Sequence, residues 1–208
     1  MDIEIREFQR GDQEKAIRFA ITGVHFDWYL KPGPLLDLFG RYFWTLELCR
    51  ATQALSAWAD GELAGVLLAE MKGEPKRWNT PGRRIFLRAF QLAQGLFAHR
   101  AAGDYDRTNQ DMFQAYTQNN TPDGELVFLA TDPKAKTGGI GTALLAELAR
   151  REAGKRIFLY TDSGCTYQFY EHRGFTREQE RDIVVEIGKR QVPLRCFLYS
   201  RRLENPSE

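Results

Sequence analysis

The sequence predicts an α+β protein of three layers (α/β/α), with a mixed, mostly antiparallel central sheet flanked by helices. Short apolar segments of the kind that form strands are separated by longer segments whose apolar residues recur at helical spacing. The dipeptide Asp60-Gly61 divides two apolar segments and indicates a tight antiparallel hairpin. The segment Glu125–Asp132 is apolar at nearly every position after its first residue, which indicates a strand buried on both faces.

The first part of the chain predicts the order β-α-α-β-β. Asp2–Phe8 alternates apolar and charged residues, as a half-buried strand does. Two segments with helical spacing follow, "GDQEKAIRFAITGV" and "LLDLFGRYFWTLELCR", separated by a loop that contains proline and glycine. The predicted hairpin then consists of a strand through Trp58 and a strand through Leu68.

Residues 74–120 are predicted to form a helical insertion between the third and fourth strands. We expect a helix over Arg84–Arg100, with an apolar stripe between basic ends, and a more polar helix over Tyr105–Gln118. Core packing or dimerisation is the expected role of the first helix. A lid over a binding site and an interfacial membrane helix are the alternatives.

The rest of the chain predicts the order β-α-β-α-β-β. After the central strand, the predicted elements are a helix over Gly139–Ala153, a strand over Arg156–Asp162, a short helix in "CTYQFYEH", and strands over Arg181–Ile187 and Leu194–Ser200. A chain of 208 residues without an internal repeat suits one domain, so we expect a single domain over residues 1–208.

Charge and cysteine content narrow the function classes. A formal net charge of +1 gives no field that attracts nucleic acid, so no nucleic-acid partner is expected. The three cysteines are far apart without a CxxC pair, and the three histidines have no zinc-ligand spacing. We therefore expect reduced thiols and no metal. Without an apolar leader or a membrane-length apolar run, we expect a cytoplasmic protein with no integral membrane association.

The segment "TDPKAKTGGIGTALL" (131–145) predicts a phosphate-binding loop. Backbone N–H groups of a glycine-rich turn, together with the unpaired N–H groups of the helix that follows, converge on an anion. Lys134 and Lys136 add positive charge. The P-loop pattern, GxxxxGK followed by Ser or Thr, is absent, and the dinucleotide pattern GxGxxG fails at Leu144.

This loop resembles the acetyl-CoA-binding motif of the GNAT superfamily of N-acetyltransferases, Arg/Gln-x-x-Gly-x-Gly/Ala. The motif is filled in order by Lys136, Thr137, Gly138, Gly139, Ile140 and Gly141. Its lysine keeps the charge of the usual arginine but lacks the forked donor geometry. The later segment "TYQFYEHRGF" is similar to the superfamily's Y-x-x-x-G-F signature, which would run from Tyr170 to Phe175.

The resemblance implies that acetyl-CoA is a co-substrate and that its acetyl group passes directly to a primary amine. We expect the amine to belong to a small molecule. A protein N-terminus or lysine as acceptor, and a non-catalytic acyl-CoA sensor, are the alternatives. The residues implied for acetyl-CoA binding are Leu129, Ala130, Thr131, Lys134, Lys136, Thr137, Gly138, Gly139, Ile140, Gly141, Thr142 and Ser163, the last standing where family members often carry asparagine.

The resemblance also implies three catalytic functions. Tyr170 is expected to protonate the departing thiolate, with aromatic packing as the alternative. A backbone N–H near Leu129 or Ala130 is expected to stabilise the oxyanion, with ordinary sheet pairing as the alternative. Glu125, at the start of the central strand, is the candidate general base. A carboxylate facing solvent is equally consistent with its position, and a water chain is another route for the proton.

On the acceptor side, the resemblance points to the first two helices and the loop between them. Asp27, Trp28 and Tyr29 are candidates for an aromatic cleft with an acidic base, which would bind a cationic amine; core packing is equally consistent. Asp162 and Glu171 are further carboxylates expected near the cleft. Direct transfer needs no covalent intermediate, so Cys165 is expected to be a buried thiol and not a nucleophile. A homodimer is compatible with the sequence.

Overall fold

The computed structural model describes residues 2–23, 30–95, 101–187 and 190–205. Within these ranges the strands are β1 (Ile3–Glu7), β2 (Gln53–Ala59), β3 (Glu62–Met71), β4 (Gly124–Thr131), β5 (Arg156–Asp162), β6 (Thr176–Ile187) and β7 (Arg190–Arg202). The helices are α1 (Gln13–Gly23), α2 (Pro34–Arg50), α3 (Pro81–Gly95), α4 (Ala101–Thr117), α5 (Ile140–Arg151) and α6 (Gln168–Glu171), and a 3₁₀ turn over Arg10–Asp12 precedes α1.

The strands form one sheet in the order β1-β2-β3-β4-β5-β7-β6. All neighbouring pairs are antiparallel except β4 and β5, which are parallel. The predicted mixed, mostly antiparallel sheet is therefore confirmed. The hairpin between β2 and β3 turns at Asp60 and Gly61, whose φ values of 52° and 78° are the positive values that a two-residue type I′ turn requires.

Helices α5 and α6 cover one face of the sheet. The apolar stripe of α5, which includes Ile140, Leu144 and Leu148, is buried against sheet residues such as Leu67 and Leu159. The aromatic side chains of α6 pack at the edge of the same cluster. This packing fixes the first turn of α5 beside the end of β4. The glycine-rich loop (132–139) connects these two elements.

Helices α1 and α2 and the insertion cover the opposite face. Trp44 and Leu48 of α2 are fully buried with Val66 of β3 and Phe128 of β4. Because neighbouring residues along β3 belong to different clusters, the sheet separates two cores. The three-layer α/β/α arrangement is therefore confirmed.

The insertion is helical, as predicted, and both of its helices pack on the protein. Phe90 of α3 stacks on Tyr42 of α2 with a centroid distance of 4.1 Å. Met112 and Tyr116 of α4 are buried with Phe158 of β5 in a cluster that also contains residues of β7. Helix α4 thus extends the helical layer over the part of the sheet that α1 and α2 do not cover.

Some boundaries differ from those predicted. Helix α3 begins at Pro81 rather than Arg84, and residues 96–100 at its predicted end lie outside the described residues. Strands β6 and β7 are longer than predicted, because polar residues outside the predicted strands extend their ladder: β6 begins at Thr176, and β7 runs from Arg190 to Arg202. None of the described helices is both long enough and apolar enough to span a membrane.

Candidate active site

A cleft opens between β4 and β5. The two strands have eight and seven residues, but their parallel ladder contains two register pairs, Gly124 with Ile157 and Glu125 with Phe158. On its other side β4 stays paired with β3 as far as Thr131. Beyond Glu125 the strands therefore diverge, and the vertex of the cleft lies at that residue.

A β-bulge in β4 lies just after this vertex. In the ladder between β3 and β4, Leu68 is opposite Phe128 while Ala69 is opposite Leu126. Val127 is therefore an extra residue in β4. A bulge of this kind bends its strand and increases its twist, and here it separates the part of β4 that pairs with β5 from the part that does not.

The backbone direction along β4 shows which amides face the cleft. The N–H of Asp132, the residue after β4, donates to the carbonyl oxygen of Ala64 in β3 over 2.8 Å. Backbone groups of successive strand residues point to opposite sides, so Ala130 pairs toward β3, while Leu129 and Thr131 point toward the cleft. Of the two amides predicted for the oxyanion, this direction favours Leu129.

The glycine-rich loop connects β4 to α5 in the way that an anion site requires. The N–H of Lys134 donates to Asp132 Oδ1 over 2.9 Å, which tightens the start of the loop. Gly139 precedes α5 with φ of 84° and provides no side chain to cap the helix. The first helical hydrogen bond runs from Ala143 N–H to the Gly139 carbonyl over 2.9 Å, so the earlier amides of α5 point out of the helix end.

The surroundings of the loop are open and basic. A β-carbon added at Gly138 or Gly139 would meet no atom within 4 Å. Lys134 and Lys136 are exposed, and neither forms an ion pair with another described residue. These features fit the diphosphate of a nucleotide cofactor, with main-chain amides at the helix end and lysines at the rim.

A further cation, which the sequence interpretation missed, lies beside the same helix end. Arg173 donates to Thr142 Oγ1 from Nε over 3.0 Å and from Nη2 over 2.6 Å. Its guanidinium carbon lies 4.9 Å from the ring centroid of Phe169, and that ring covers the position next to Gly141. The Y-x-x-x-G-F segment therefore supplies a basic group to the first turn of α5.

Tyr170 lies on α6 with its ring between other aromatic rings. It makes edge contacts with Phe169 and Phe175, at centroid distances of 5.3 Å and 5.6 Å. Its hydroxyl forms no hydrogen bond with another described residue. Burial raises the pKa of Tyr170 above its ordinary value, with a further contribution from Cys165. The phenol is therefore protonated at neutral pH and suited to donate a proton.

Comparison with known proteins agrees with this geometry. No protein-family model matches the sequence, and no curated protein matches it. The chain is similar to the structure of a histone acetyltransferase and related acetyltransferase from Corynebacterium glutamicum, with 17% identity, 100% of both chains covered and a TM-score of 0.58. It is also similar to a GNAT-family structure from Desulfovibrio desulfuricans, with 17% identity, 97% and 99% of the chains covered and a TM-score of 0.51.

The chain has the GNAT fold. A third similar structure is the PaiA N-acetyltransferase from Thermoplasma acidophilum in complex with coenzyme A, with 17% identity, 97% and 99% of the chains covered and a TM-score of 0.52. The resemblance predicted from the two sequence motifs is thus confirmed at the level of the fold.

In this GNAT fold, Glu125 lies at the vertex of the cleft and binds Arg50 of α2. Each of the three guanidinium nitrogens of Arg50 donates to a different glutamate: Nη2 to Glu125, Nε to Glu70 over 2.9 Å, and Nη1 to Glu47 over 3.4 Å. Burial raises the pKa of Glu125, whereas Arg50 opposes that rise. Glu125 is therefore a half-buried, paired carboxyl, and its predicted alternative as a carboxylate facing solvent is wrong.

The other two carboxylates expected near the GNAT cleft have structural partners. Asp162 accepts from the Gly164 N–H over 2.8 Å and from the Tyr105 hydroxyl over 3.1 Å. Glu171 accepts from the Tyr199 hydroxyl over 2.7 Å and binds Arg177 at 2.5 Å; these contacts lower its pKa. The lowered pKa makes Glu171 less suited than Glu125 to accept a proton from a substrate, and the contacts of Asp162 hold the loop that follows β5.

Ser163 and Cys165 lie in the loop between β5 and α6. Ser163 Oγ accepts from the Arg195 N–H over 3.0 Å, which ties the loop to β7. Burial raises the pKa of the Cys165 thiol to about 11, so this thiol is protonated at neutral pH. The three cysteines are free thiols.

Other predicted groups have these positions. The acceptor candidates Asp27, Trp28 and Tyr29 lie outside the described residues. Thr137 belongs to the glycine-rich loop, and Thr131 ends β4. Among the described residues, no group of three or more His, Cys, Asp or Glu side chains is arranged to hold a metal ion.

Proposed function

We propose that the protein is an N-acetyltransferase of the GNAT superfamily, which transfers the acetyl group of acetyl-CoA directly to a primary amine of a small molecule. The observation that carries this proposal is the divergence of β4 and β5 after two register pairs, directly ahead of the glycine-rich loop. An acyl-pantetheine arm fits between the strands only where their ladder is interrupted. The loop at the end of β4 then meets the diphosphate of the same molecule.

The cleft supplies a group for each chemical demand of acyl transfer. The Leu129 N–H points away from β3 and into the cleft. There it is directed at the site where negative charge develops on the thioester oxygen. Tyr170 donates a proton to the departing thiolate. Acetyl-CoA itself supplies an acyl group activated as a thioester, held by Lys134, Lys136 and the amides at the start of α5.

Glu125 is the proposed acceptor of the amine proton. An alkyl amine has a pKa of about 10.4, so the neutral nucleophile costs roughly 4–5 kcal/mol at pH 7. A carboxylate at the vertex of the cleft lowers that cost by taking the proton, directly or through water. Burial raises the pKa of Glu125, and a carboxylate with a raised pKa is a stronger base for this role.

A small amine is the proposed acceptor, since the carboxyls that face the vertex are mostly buried and suit a compact cation. A protein acceptor is the second candidate, because one of the similar structures is described as a histone acetyltransferase. An acyl-CoA sensor without turnover is the third. A homodimer and a cytoplasmic location also stay predictions, as does the lack of a nucleic-acid partner.

One experiment separates these candidates. Calorimetry measures the binding of CoA and acetyl-CoA, and a thiol assay measures CoA release with a panel of small primary amines, an alanine-terminated peptide and a lysine peptide. Release that depends on a small amine supports the proposal, and release with a peptide alone supports the second candidate. Binding without release favours the sensor, and no binding refutes all of them.

A further inference from the structure

The contacts of Arg50 define a charged cluster at the vertex of the cleft. It contains Arg50, the three glutamates that its guanidinium binds (Glu47, Glu70 and Glu125), and Lys76, which binds Glu70 at 2.5 Å. The side chains of Glu47 and Glu125 are 13% and 15% exposed, compared with 27% for Glu70. The two least exposed carboxyls of the Arg50 cluster therefore depend on a single shared cation.

The cluster has one carboxyl more than it has cations. With every group ionised, three carboxylates face one guanidinium and one ammonium, which leaves an excess negative charge in a half-buried site. Burial of unpaired charge is costly. One proton bound to the cluster removes that excess, so the cluster is built to take up a single proton.

Geometry indicates which carboxyl holds this proton. Glu70 has both cations as partners, and Glu125 has the closest contact with Arg50. Glu47 has the longest contact, 3.4 Å, and no second cation. Burial, together with the charges of Glu125 and Glu70, raises the pKa of Glu47 to about 7, against the opposing effect of Arg50.

We propose that Glu47 is a positioning residue for the acetyl transfer assigned above, on which this inference rests: it acts through Glu125, by taking over the proton that Glu125 removes from the acceptor amine. The two carboxyls bind the two terminal nitrogens of one guanidinium, so Arg50 holds them side by side. Transfer of the proton to Glu47 returns Glu125 to its ionised form.

The proton and charge balance of this step is simple. An N–H bond of the ammonium breaks and an O–H bond forms on Glu125, which frees the nitrogen lone pair to attack the thioester carbonyl. The proton then moves to Glu47, which has the longest contact with Arg50 in the cluster, and passes from there to solvent. The C–N bond forms as the thioester C–S bond breaks, and Tyr170 protonates the departing thiolate. The attacking nitrogen loses its second proton to solvent, from which Tyr170 recovers its own. No further reactant is needed.

The other charged or titratable groups in or beside the Arg50 cluster come from four elements or their ends: Arg50 of α2, Glu70 of β3 with Lys76 just after it, Glu125 of β4, and Tyr160 of β5. Burial and the charge of Glu125 raise the pKa of Tyr160 above its ordinary value, so it is neutral throughout the working range. Among the carboxyls, Glu47 has the longest contact with Arg50 and no second cation, so we assign the proton-binding behaviour near pH 7 to it.

The test compares wild type with Glu47→Gln and with the matched control Glu70→Gln, which removes another carboxyl of the same cluster. We measure kcat at saturating acetyl-CoA and amine from about pH 5 to about pH 9, and the Kd of acetyl-CoA by calorimetry. In wild type, kcat rises with pH through an apparent pKa near 7, because Glu47 must be ionised to accept a proton.

The expected results separate the two variants. Glu47→Gln loses this rise, and its kcat above the rise is lower by roughly 10- to 100-fold, within or just below the usual range for acid–base catalysis. Its Kd for acetyl-CoA stays within about twofold of wild type, since Glu47 lies away from the phosphate loop. Glu70→Gln keeps a rise, but the rise moves to lower pH, because removal of the Glu70 charge lowers the pKa of Glu47.

A second measurement reports on Glu47 without turnover. The folded-state pKa of about 7 is above the ordinary glutamate value of 4.5, so wild type loses stability as pH rises between these values. Glu47→Gln lacks this loss. Its Tm relative to wild type should therefore increase as pH rises from about 4.5 to about 7 and stay constant at higher pH.

The outcomes distinguish this inference from the proposed function. If wild type turns over but Glu47→Gln has the same kcat profile, or if the Tm difference does not change with pH, the role of Glu47 is refuted while the acetyltransferase stands. If wild type binds no acetyl-CoA, the proposed function fails and the role of Glu47 with it.

Discussion

Arg173 binds Thr142 across the two sequence motifs: its Nη2 lies 2.6 Å from Thr142 Oγ1. Thr142 belongs to the first turn of α5, directly after the glycine-rich loop, and Arg173 belongs to the Y-x-x-x-G-F segment. The contact therefore brings a guanidinium to the helix end at which we propose that the diphosphate binds. Neither motif alone predicts this cation.

We predict that Arg173→Ala weakens CoA binding by about 5- to 30-fold, the effect of losing roughly 1–2 kcal/mol from one charge-assisted hydrogen bond. Pantetheine, which has no diphosphate, should bind wild type and variant equally. Calorimetry with both ligands checks this. Arg150→Ala is the control variant, since Arg150 is an exposed residue in the last turn of the same helix. An equal loss for CoA and pantetheine would show that Arg173 only supports the fold.

The sequence predicts the glycine-rich loop but not the vertex of the cleft, because only the loop depends on residues that are close together in the chain. Glycine, proline and lysine have local conformational and charge effects, so the loop and the start of α5 can be predicted from Gly138 and Gly139 together with the neighbouring proline, lysines and apolar helix. The alternation of apolar and polar residues in strands, and their helical spacing in helices, likewise predict the order of elements. A turn or a helix end depends on residues that are close together in the chain.

The vertex of the cleft depends on contacts between distant residues. Arg50 and Glu125 are 75 residues apart, and Thr142 and Arg173 are 31 apart. The bulge at Val127 has no local signal, because its neighbours have the same apolar character. The sequence therefore does not determine whether Glu125 faces solvent or a cation, because that depends on how α2 packs on the sheet.

Gly124 lies in the last part of the sheet before β4 and β5 diverge, and we predict that Gly124→Ala is destabilising. An added β-carbon would lie 2.7 Å from the Glu70 carbonyl oxygen and 2.5 Å from Met71 Sδ. The backbone atom has little room to move, so the free energy of unfolding should fall by about 1–3 kcal/mol. Urea unfolding measures this change.

Gly138→Ala is the matched control for that substitution, because a β-carbon there meets nothing within 4 Å. Its free energy of unfolding should stay within about 0.5 kcal/mol of wild type. If the two variants lose equal stability, close packing at Gly124 is not the cause.

Tyr170→Phe tests the proposed general acid. Removal of the hydroxyl should lower kcat by roughly 10- to 100-fold, near or below the lower end of the usual effect, because a thiolate leaves readily even without a proton. The KM for acetyl-CoA should change by less than about twofold, since the aromatic ring remains in place. Steady-state kinetics with a reactive amine measure both constants. An unchanged kcat would remove Tyr170 from the mechanism.

The pH dependence gives a separate check on Tyr170. Because burial raises its pKa above the ordinary value of about 10, the acid stays protonated through neutral and moderately alkaline pH. The wild-type kcat should therefore show no alkaline loss below about pH 10 from this group. A decline that begins near neutral pH and is absent in Tyr170→Phe would contradict the raised pKa.

Helix α4 of the insertion is tied to the cleft through Tyr105, whose hydroxyl donates to Asp162 Oδ2 over 3.1 Å. Asp162 also accepts from the Gly164 N–H, so the contact holds the loop that leads to α6. Tyr105→Phe should lower the free energy of unfolding by about 1 kcal/mol, the net value of one hydrogen bond plus a poorly satisfied acceptor. Because α6 carries Tyr170, kcat should fall as well, while CoA affinity is retained.

Tyr116 provides the control on the same helix. Its hydroxyl is buried and has no hydrogen-bond partner among the described residues, so Tyr116→Phe removes a polar group without breaking a bond. The free energy of unfolding should be unchanged or higher by up to about 1 kcal/mol, and kcat should stay at the wild-type value. Thermal unfolding and kinetics of both variants measure the difference. If Tyr105→Phe behaves like Tyr116→Phe, the insertion contributes packing alone and does not hold the loop beside Tyr170.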